Sequence, residues 1–374
     1  MIELQEGVIP EIEVTKPYAL VAITKHGVQK ARQMLQDFPH VDLYYMEKFE
    51  HGDEQAKGIQ LFKGTVRLLL PALFKKYKGL ILIISLGAVV RMIAPILEDK
   101  KKDPGVLVID DKAEHVISVL SGHIGGANAL THEVANVIGA KPIITTASDV
   151  QKTIPVDLFG ARFGWVWDSD EKLTPVSAAV VNEEHVAIVQ ETGETNWWMH
   201  DTPIPSSIKQ YQTIEHAIEA KPDAALIVTD RILERDEEVI LTNGVIYRPK
   251  SIVLGMGCNR GTSFDEIEAV IDETLAELKL SKKSVKALVT IDLKKDEQAL
   301  IDITNRYGWK FVTYTPGQLN EMPLPNPSET VFKYTGAYGV SEPAAMRYAN
   351  TSDLLLEKKK SGNVTISIAR LNFC

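Results

Sequence analysis

The run Gly79-Leu80-Ile81-Leu82-Ile83-Ile84-Ser85 is apolar at every interior position. A strand with one wet face alternates polar and apolar residues. A run without alternation has both faces covered, as in a central strand of a parallel sheet. Helix candidates flank it. One spans residues 64–76, with Val66, Leu69, Leu70 and Leu73 on one face, and the other spans residues 88–97. Further strand-like runs lie at residues 18–23, 41–45, 105–110 and 116–120, with a helix candidate at 27–37. This alternation predicts a doubly wound α/β domain over residues 1–150.

Residues 151–250 read differently. They carry scattered prolines, the tryptophans Trp165, Trp167, Trp197 and Trp198, and strand-like pieces at 178–181, 186–189 and 224–229. A smaller α+β middle segment is expected there. From Ser251 the α/β rhythm returns, with strands at 252–255, 287–291, 310–313 and 365–369 and helices at 264–279 and 296–307. Residues 316–338, rich in proline and glycine, read as a mobile loop. The expected fold class is therefore α/β: two α/β domains with mainly parallel sheets, residues 1–150 and 251–374, joined by a smaller α+β middle segment.

Length and charge narrow the function classes. The 374 residues suit two or three domains, and the formal net charge of −9 argues against a nucleic-acid-binding surface. Lys100-Lys101-Lys102 and Lys358-Lys359-Lys360 are flanked by acidic residues and read first as solvated turns, with steering of an anionic ligand as the alternative. The two cysteines, Cys258 and Cys374, build neither a disulfide scaffold nor a zinc site. Residues 1–16 lack the pattern of a signal peptide. The most apolar stretch, 79–95, contains Arg91, and no uncharged run reaches membrane-spanning length. A cytoplasmic protein without a membrane or nucleic-acid partner is expected.

Two glycine-rich loops carry the candidate chemistry. Ser121-Gly122-His123-Ile124-Gly125-Gly126-Ala127-Asn128 lies between a strand and a helix. In a parallel sheet it would share one edge with Ser85-Leu86-Gly87 and with Thr145-Thr146-Ala147-Ser148-Asp149. His123, with an ordinary pKa of about 6.5, is a candidate general base toward water. Ser121 is a candidate nucleophile if a base reaches it. Gly125 and Gly126 would admit a bulky ligand close to the backbone. The bland alternative is a tight turn whose Ser121 and Asn128 satisfy backbone groups. Arg91 suits a ligand carboxylate or an internal pair with Asp99, Asp103 or Asp110.

The second loop is Gly255-Met256-Gly257-Cys258-Asn259-Arg260-Gly261-Thr262-Ser263. It matches neither the dinucleotide fingerprint nor a P-loop. Its glycines and Arg260 make a plausible cradle for carboxylate or phosphate, and Ser263 with Glu266 fits a capping box. Cys258 reads as a packing residue before a reactive one. His115, His132, His185, His200 and His216 lack metal-ligand spacing, and His132 reads as a surface or packing residue.

Taken together, these loops resemble the CbiG family of cobalamin biosynthesis. The resemblance extends through Lys101 to Asp110, Pro142 to Asp149, Gly339-Val340-Ser341-Glu342-Pro343-Ala344-Ala345 and Lys360 to Thr365. It covers both outer domains and is weak in the middle. It implies a cobalt-precorrin-5A hydrolase: water opens the δ-lactone on ring A of a cobalt-bound macrocycle, and a two-carbon fragment leaves as acetaldehyde. The cobalt would arrive inside the substrate, so no metal site and no cofactor of the protein's own are expected. Lactone hydrolysis needs a base for water and donors for the oxyanion. His123 is the first choice for the base, with a covalent Ser121 ester ranked below direct water attack. The N–H groups around Gly125 and Gly126 are candidate oxyanion donors. Gly87, Arg91, Asn128, Gly257, Asn259, Arg260, Gly261, Thr262 and Glu342 complete the expected substrate contacts. The expected partners are the corrinoid substrate and, transiently, neighbouring pathway enzymes. The competing readings are a non-catalytic corrinoid-binding or channelling protein and a methyltransferase, the latter lacking a convincing S-adenosylmethionine loop.

Overall fold

Apolar runs become buried strands throughout the computed structural model, which describes every residue except Ser169, Pro325, Asn326 and Cys374. The terminal cysteine noted above thus lies outside the described residues. The chain divides into two compact units, Met1–Leu158 and Phe159–Cys374. No helix among the described residues is long and apolar enough to cross a membrane.

The first unit is built on β1 (Ile2–Glu3), β2 (Tyr18–Ala22), β3 (Val41–Met46), β4 (Gln60–Lys63), β5 (Gly79–Ile83), β6 (Gly105–Ile109), β7 (His115–Leu120) and β8 (Lys141–Ile143). They form one sheet in the order β1-β4-β3-β2-β5-β6-β7-β8. Strand β5 explains the run that lacks alternation. Leu80 and Leu82 face one core, with the helices Val66–Lys76 and Leu86–Ile93. Ile81 and Ile83 face the other, with Lys25–Asp37 and Ala127–Ile138. Both faces are dry, as a doubly wound sheet requires.

One pairing departs from the parallel sheet expected. Strands β6 and β7 are antiparallel, with Ile109 opposite Val116 and Val106 opposite Leu120, while β8 runs parallel to β7. Only residues 110–114 connect β6 to β7, and a parallel crossover needs a dozen residues or more. Asp110 pins the turn: its carboxylate accepts from the N–H groups of Lys112 and His115. As a result, the loops after β7 and β8 emerge at the end of the sheet opposite to those after β2 and β5.

The second unit carries two sheets. In the first are β9 (Val166–Trp167), β10 (Val186–Gln190), β11 (Ile208–Tyr211), β12 (Ala224–Val228) and β13 (Gly244–Arg248), ordered β11-β10-β12-β13-β9. Four of these strands are parallel, and only the short edge strand β9 is antiparallel. The middle segment is therefore an α/β layer and not the α+β piece expected. Residues 178–181, expected as a strand, lie in the helix Leu173–Val181, where Leu173, Val176, Ala179 and Val180 are buried at helical spacing. Four residues are too few to show that period.

The other sheet holds β14 (Ile252–Cys258), β15 (Val285–Ile291), β16 (Lys310–Tyr314), β17 (Leu354–Ser361) and β18 (Val364–Arg370), ordered β16-β15-β14-β18-β17. Lys358-Lys359-Lys360, read as a turn, is part of the edge strand β17, where lysines discourage pairing with another chain. The 316–338 segment, read as a loop, contains the helices Pro316–Asn320 and Glu329–Thr335. Within this unit, the carboxylate of Asp230, buried at the end of β12, accepts hydrogen bonds from Arg370 and Ser251.

The helix Ser341–Ala349 lies so close on β14 that a Cβ on Gly255 would stand 1.9 Å from the Ser341 carbonyl oxygen and 2.9 Å from the Ala345 Cβ. The obstacle is backbone, which cannot rotate away. Gly255→Ala is expected to cost about 3 kcal/mol, read as a lower urea midpoint for the second unit. An unchanged midpoint would refute this packing.

Candidate active site

Strands β7 and β8 are adjacent and parallel, so the segments leaving them meet. The first turns through Ser121, at φ +53°, and Gly126, at φ +77°, before the helix Ala127–Ile138. Its amides are largely spent within the turn: Gly126 N–H donates to the His123 carbonyl, Ala127 N–H to Ser121 and Asn128 N–H to Gly122. The helix N-terminus is thus capped by its own loop, and the Gly126 amide, one of the two expected oxyanion donors, is already engaged. A Cβ on Gly125 would lie 2.3 Å from the Ser121 Cβ. That glycine is required for packing within the loop, and not for ligand approach as expected. Gly126 has open space beside it.

The loop holds His123 between two carboxylates. Its Nε2 lies 2.8 Å from Asp149 Oδ2 and its Nδ1 lies 2.8 Å from Asp157 Oδ1. Ser148 Oγ is 3.3 Å from Nε2. Asn128, buried in the first turn of the helix, is the brace: its amide donates to Asp149 Oδ2 and to Thr146 Oγ1, both at 3.0 Å. Its carbonyl oxygen accepts from Ser118 Oγ at 2.7 Å. The His123 side chain is 14% exposed, Asp157 21% and Asp149 38%, so Asp149 is the open end.

This setting changes the chemistry of the ring. The hydrogen bond to Asp149, then that to Asp157, raises the His123 pKa to about 9 against the opposing effect of burial. The same contact holds Asp149 below the usual carboxylate range. At neutral pH His123 is an imidazolium with both N–H groups engaged. It has no lone pair with which to accept a proton, so in this arrangement it is not the general base expected. It can donate a proton or stabilise negative charge.

Asp149 belongs to a motif the sequence singled out. Asp157 was missed, since it stands alone after Pro155-Val156 in irregular chain. The Ser121 hydroxyl is buried without a hydrogen-bond partner among the described residues, and it is not joined to the His123 ring. Gly87 and Arg91 lie in the helix after β5, at the opposite end of the sheet, so the expected convergence with Ser85-Leu86-Gly87 does not occur. Arg91 is exposed and forms none of the acid pairs weighed for it among the described residues.

The second glycine loop, at the end of β14, is occupied by its own neighbours. Arg260 pairs with Asp296 at 2.8 Å, and Gly261 N–H donates to the buried Glu297 carboxylate at 2.9 Å. Asn259 bonds Asn363, and Thr262 Oγ1 donates to the Asn259 carbonyl. A Cβ on Gly257 would lie 2.7 Å from Thr365 Oγ1. Glu342 is buried and accepts from Lys358 N–H at 3.3 Å. Ser263 caps its helix through Glu266 N–H, but the Glu266 carboxylate turns to Asn363 and leaves the capping box half made. Burial pushes the Cys258 thiol up, away from thiolate chemistry. His132 is exposed. No cluster of His, Cys, Asp or Glu among the described residues is arranged to hold a metal ion.

Three family models match the chain: Cobalamin synthesis G N-terminal over residues 69–149, Cobalamin biosynthesis central region over 154–249, and Cobalamin synthesis G C-terminus over 252–369. The cobalt-precorrin-5A hydrolase of Priestia megaterium is 64% identical over 373 residues, covering 100% of both chains. That of Salmonella typhimurium is 30% identical, over 94% of this chain and 96% of its own. A crystal structure of a putative cobalamin biosynthesis protein G homologue from Sulfolobus solfataricus is 19% identical over 95% of this chain and 97% of its own, with a TM-score of 0.36.

Because the folded pKa of His123 lies above its ordinary value, the stabilisation from this contact is full below about pH 6.5 and is lost as pH rises through about 9. The shift corresponds to about 3 kcal/mol before solvent screening at the open Asp149 end reduces it. Long-range proton–nitrogen NMR is expected to show both ring nitrogens protonated at pH 7.5 and a midpoint near 9. A midpoint near about 6.5 would contradict the assignment.

Proposed function

The chain belongs to the CbiG family of cobalamin biosynthesis, and we propose that it hydrolyses cobalt-precorrin-5A through the His123 site, opening the ring A δ-lactone and releasing acetaldehyde. The relatives named cobalt-precorrin-5A hydrolase support the reaction. The observation that carries the assignment to this site is the His123 ring held between the Asp149 and Asp157 carboxylates. The substrate brings its own cobalt, and no resident cofactor enters the scheme.

Lactone opening expels an alkoxide, and an alkoxide needs a proton. His123 supplies it as a general acid. Asp149, the open end of the cluster, accepts a hydrogen bond from the attacking water and aims it at the carbonyl carbon. The water's excess proton passes to solvent. The N–H of Gly125, which donates to no backbone carbonyl among the described residues, serves as the donor for the carbonyl oxygen as it becomes an oxyanion. Asp157 keeps the ring oriented as its charge changes.

The second half reverses the proton flow. His123, now neutral, takes the proton back from the freed hydroxyl as the adjacent carbon–carbon bond breaks. The carbonyl of acetaldehyde forms, and the bonding pair stays with the macrocycle. One imidazole serves as acid and then as base, which is why a pKa above neutrality suits it: the resting form is the acid. The product passes to neighbouring pathway enzymes by transient contact.

Replacing the titratable ring while keeping a polar side chain tests the scheme. His123→Asn is expected to lower kcat by about 10²-fold or more, with KM changed far less. The measurement is acetaldehyde release, coupled to alcohol dehydrogenase. Undiminished release would refute the acid role, and corrinoid binding by a wild-type protein that releases none would favour a binding or channelling protein.

A further inference from the structure

We propose that Lys100 and Lys102, on the turn before β6, form the carboxylate-recognition rim of the His123 site, gripping acetate and propionate groups at the edge of the corrinoid ring. This rests on the functional reading above, and it takes the second of the two readings that the sequence leaves for this turn.

The need for such a rim follows from charge. The His123 cluster sets one cation between two carboxylates, so it carries a net negative charge at neutral pH. A polycarboxylate approaching it is repelled unless cations stand nearby. Arg91 does not supply them, because its guanidinium folds back beside Gly87, in the first turn of a helix that begins at the far end of the sheet.

The same crossover that removes Arg91 delivers the lysines. The chain leaves β5 at one end, passes through that helix, and enters β6 at the end where β7 finishes. The segment just before β6 packs directly on the histidine loop. A Cβ on Gly125 would be 3.1 Å from the Asp103 carbonyl oxygen, and a Cβ on Gly105 would be 2.6 Å from that of Gly125. Lys102 is the residue before Asp103.

The turn leaves Lys100 and Lys102 exposed to solvent. Residues 98–103 contain three acids and three lysines, so the segment is formally neutral and its field depends on orientation. Asp103 is buried, and both of its carboxylate oxygens accept from Glu98 N–H, at 3.1 and 3.3 Å. The Asp99 carboxylate accepts from Lys101 N–H, while its carbonyl takes the N–H groups of Lys102 and Asp103. Two of the three acids are thereby turned onto backbone. Lys100, Lys101 and Lys102 are all exposed. Ammonium groups on flexible stems suit several carboxylates at a ring edge better than one fixed fork would.

The test is charge reversal in the full chain. Equilibrium dialysis of cobalt-precorrin-5A, followed by its visible absorption, measures binding separately from acetaldehyde release. Lys100→Glu with Lys102→Glu is expected to raise Kd about tenfold and leave the thermal midpoint unchanged, with kcat within about twofold of the wild type. Wild-type Kd should rise with potassium chloride, and that of the variant should not. Lys100→Arg with Lys102→Arg should keep wild-type Kd. An unchanged Kd on charge reversal overturns the proposal, and so does an equal loss in Arg91→Glu. If the wild type releases no acetaldehyde while charge reversal still weakens binding, the hydrolase reading fails and the rim stands.

Discussion

Five residues, 110–114, cannot carry a chain from the end of one strand back to the start of a parallel neighbour. That constraint reverses β7 against β6, and β8 then follows β7. The reversal decides which loops meet. It sends the 121–126 turn and the residues after β8 to one edge, together with the lysine turn before β6. It leaves the loops after β2 and β5 at the other. The site is therefore not at the crevice where doubly wound sheets most often bind ligands. It is at an edge created by one hairpin, whose turn depends on the Asp110 carboxylate.

At that edge the governing interaction is electrostatic. A half-buried histidine between two carboxylates is an ion cluster that favours its own charged form, and Asn128 fixes the geometry from behind. The arrangement stores a proton near neutrality and presents its more open carboxylate to solvent. The 255–263 loop shows the contrast. Its arginine and its Gly261 amide are already paired with Asp296 and Glu297, so the cradle its sequence suggests is satisfied from within. Two loops of similar composition thus differ in what they leave unspent.

Much of the architecture was legible because the strands β2, β5, β6, β12 and β14 are uniformly apolar, and burial on both faces has no other simple reading. The edge strands were harder. β4 is short, and β17 carries three lysines and glutamate, which reads as a turn until its pairing with β18 is seen. The direction of β7 was legible in principle, from the length of its connection, and was missed by extending the parallel pattern. His123 and Asn128 stood out through their glycines, and Asp149 through its motif. Asp157 left no signal, because its role comes from a fold-back of irregular chain 34 residues beyond His123. The protonation state of His123 was illegible for the same reason: it depends on partners that only the fold assembles.

The central claim is that the imidazolium of His123, maintained by its two carboxylates, is the acid that opens the lactone. The pH dependence of kcat/KM for acetaldehyde release, compared between wild type and Asp157→Asn, tests it most directly. An acid is lost as pH rises through its pKa, so wild-type activity should fall on the alkaline side near pH 9. Removing one carboxylate should move that limb toward neutrality by about one unit or more. An alkaline limb that stays in place in Asp157→Asn would contradict the account.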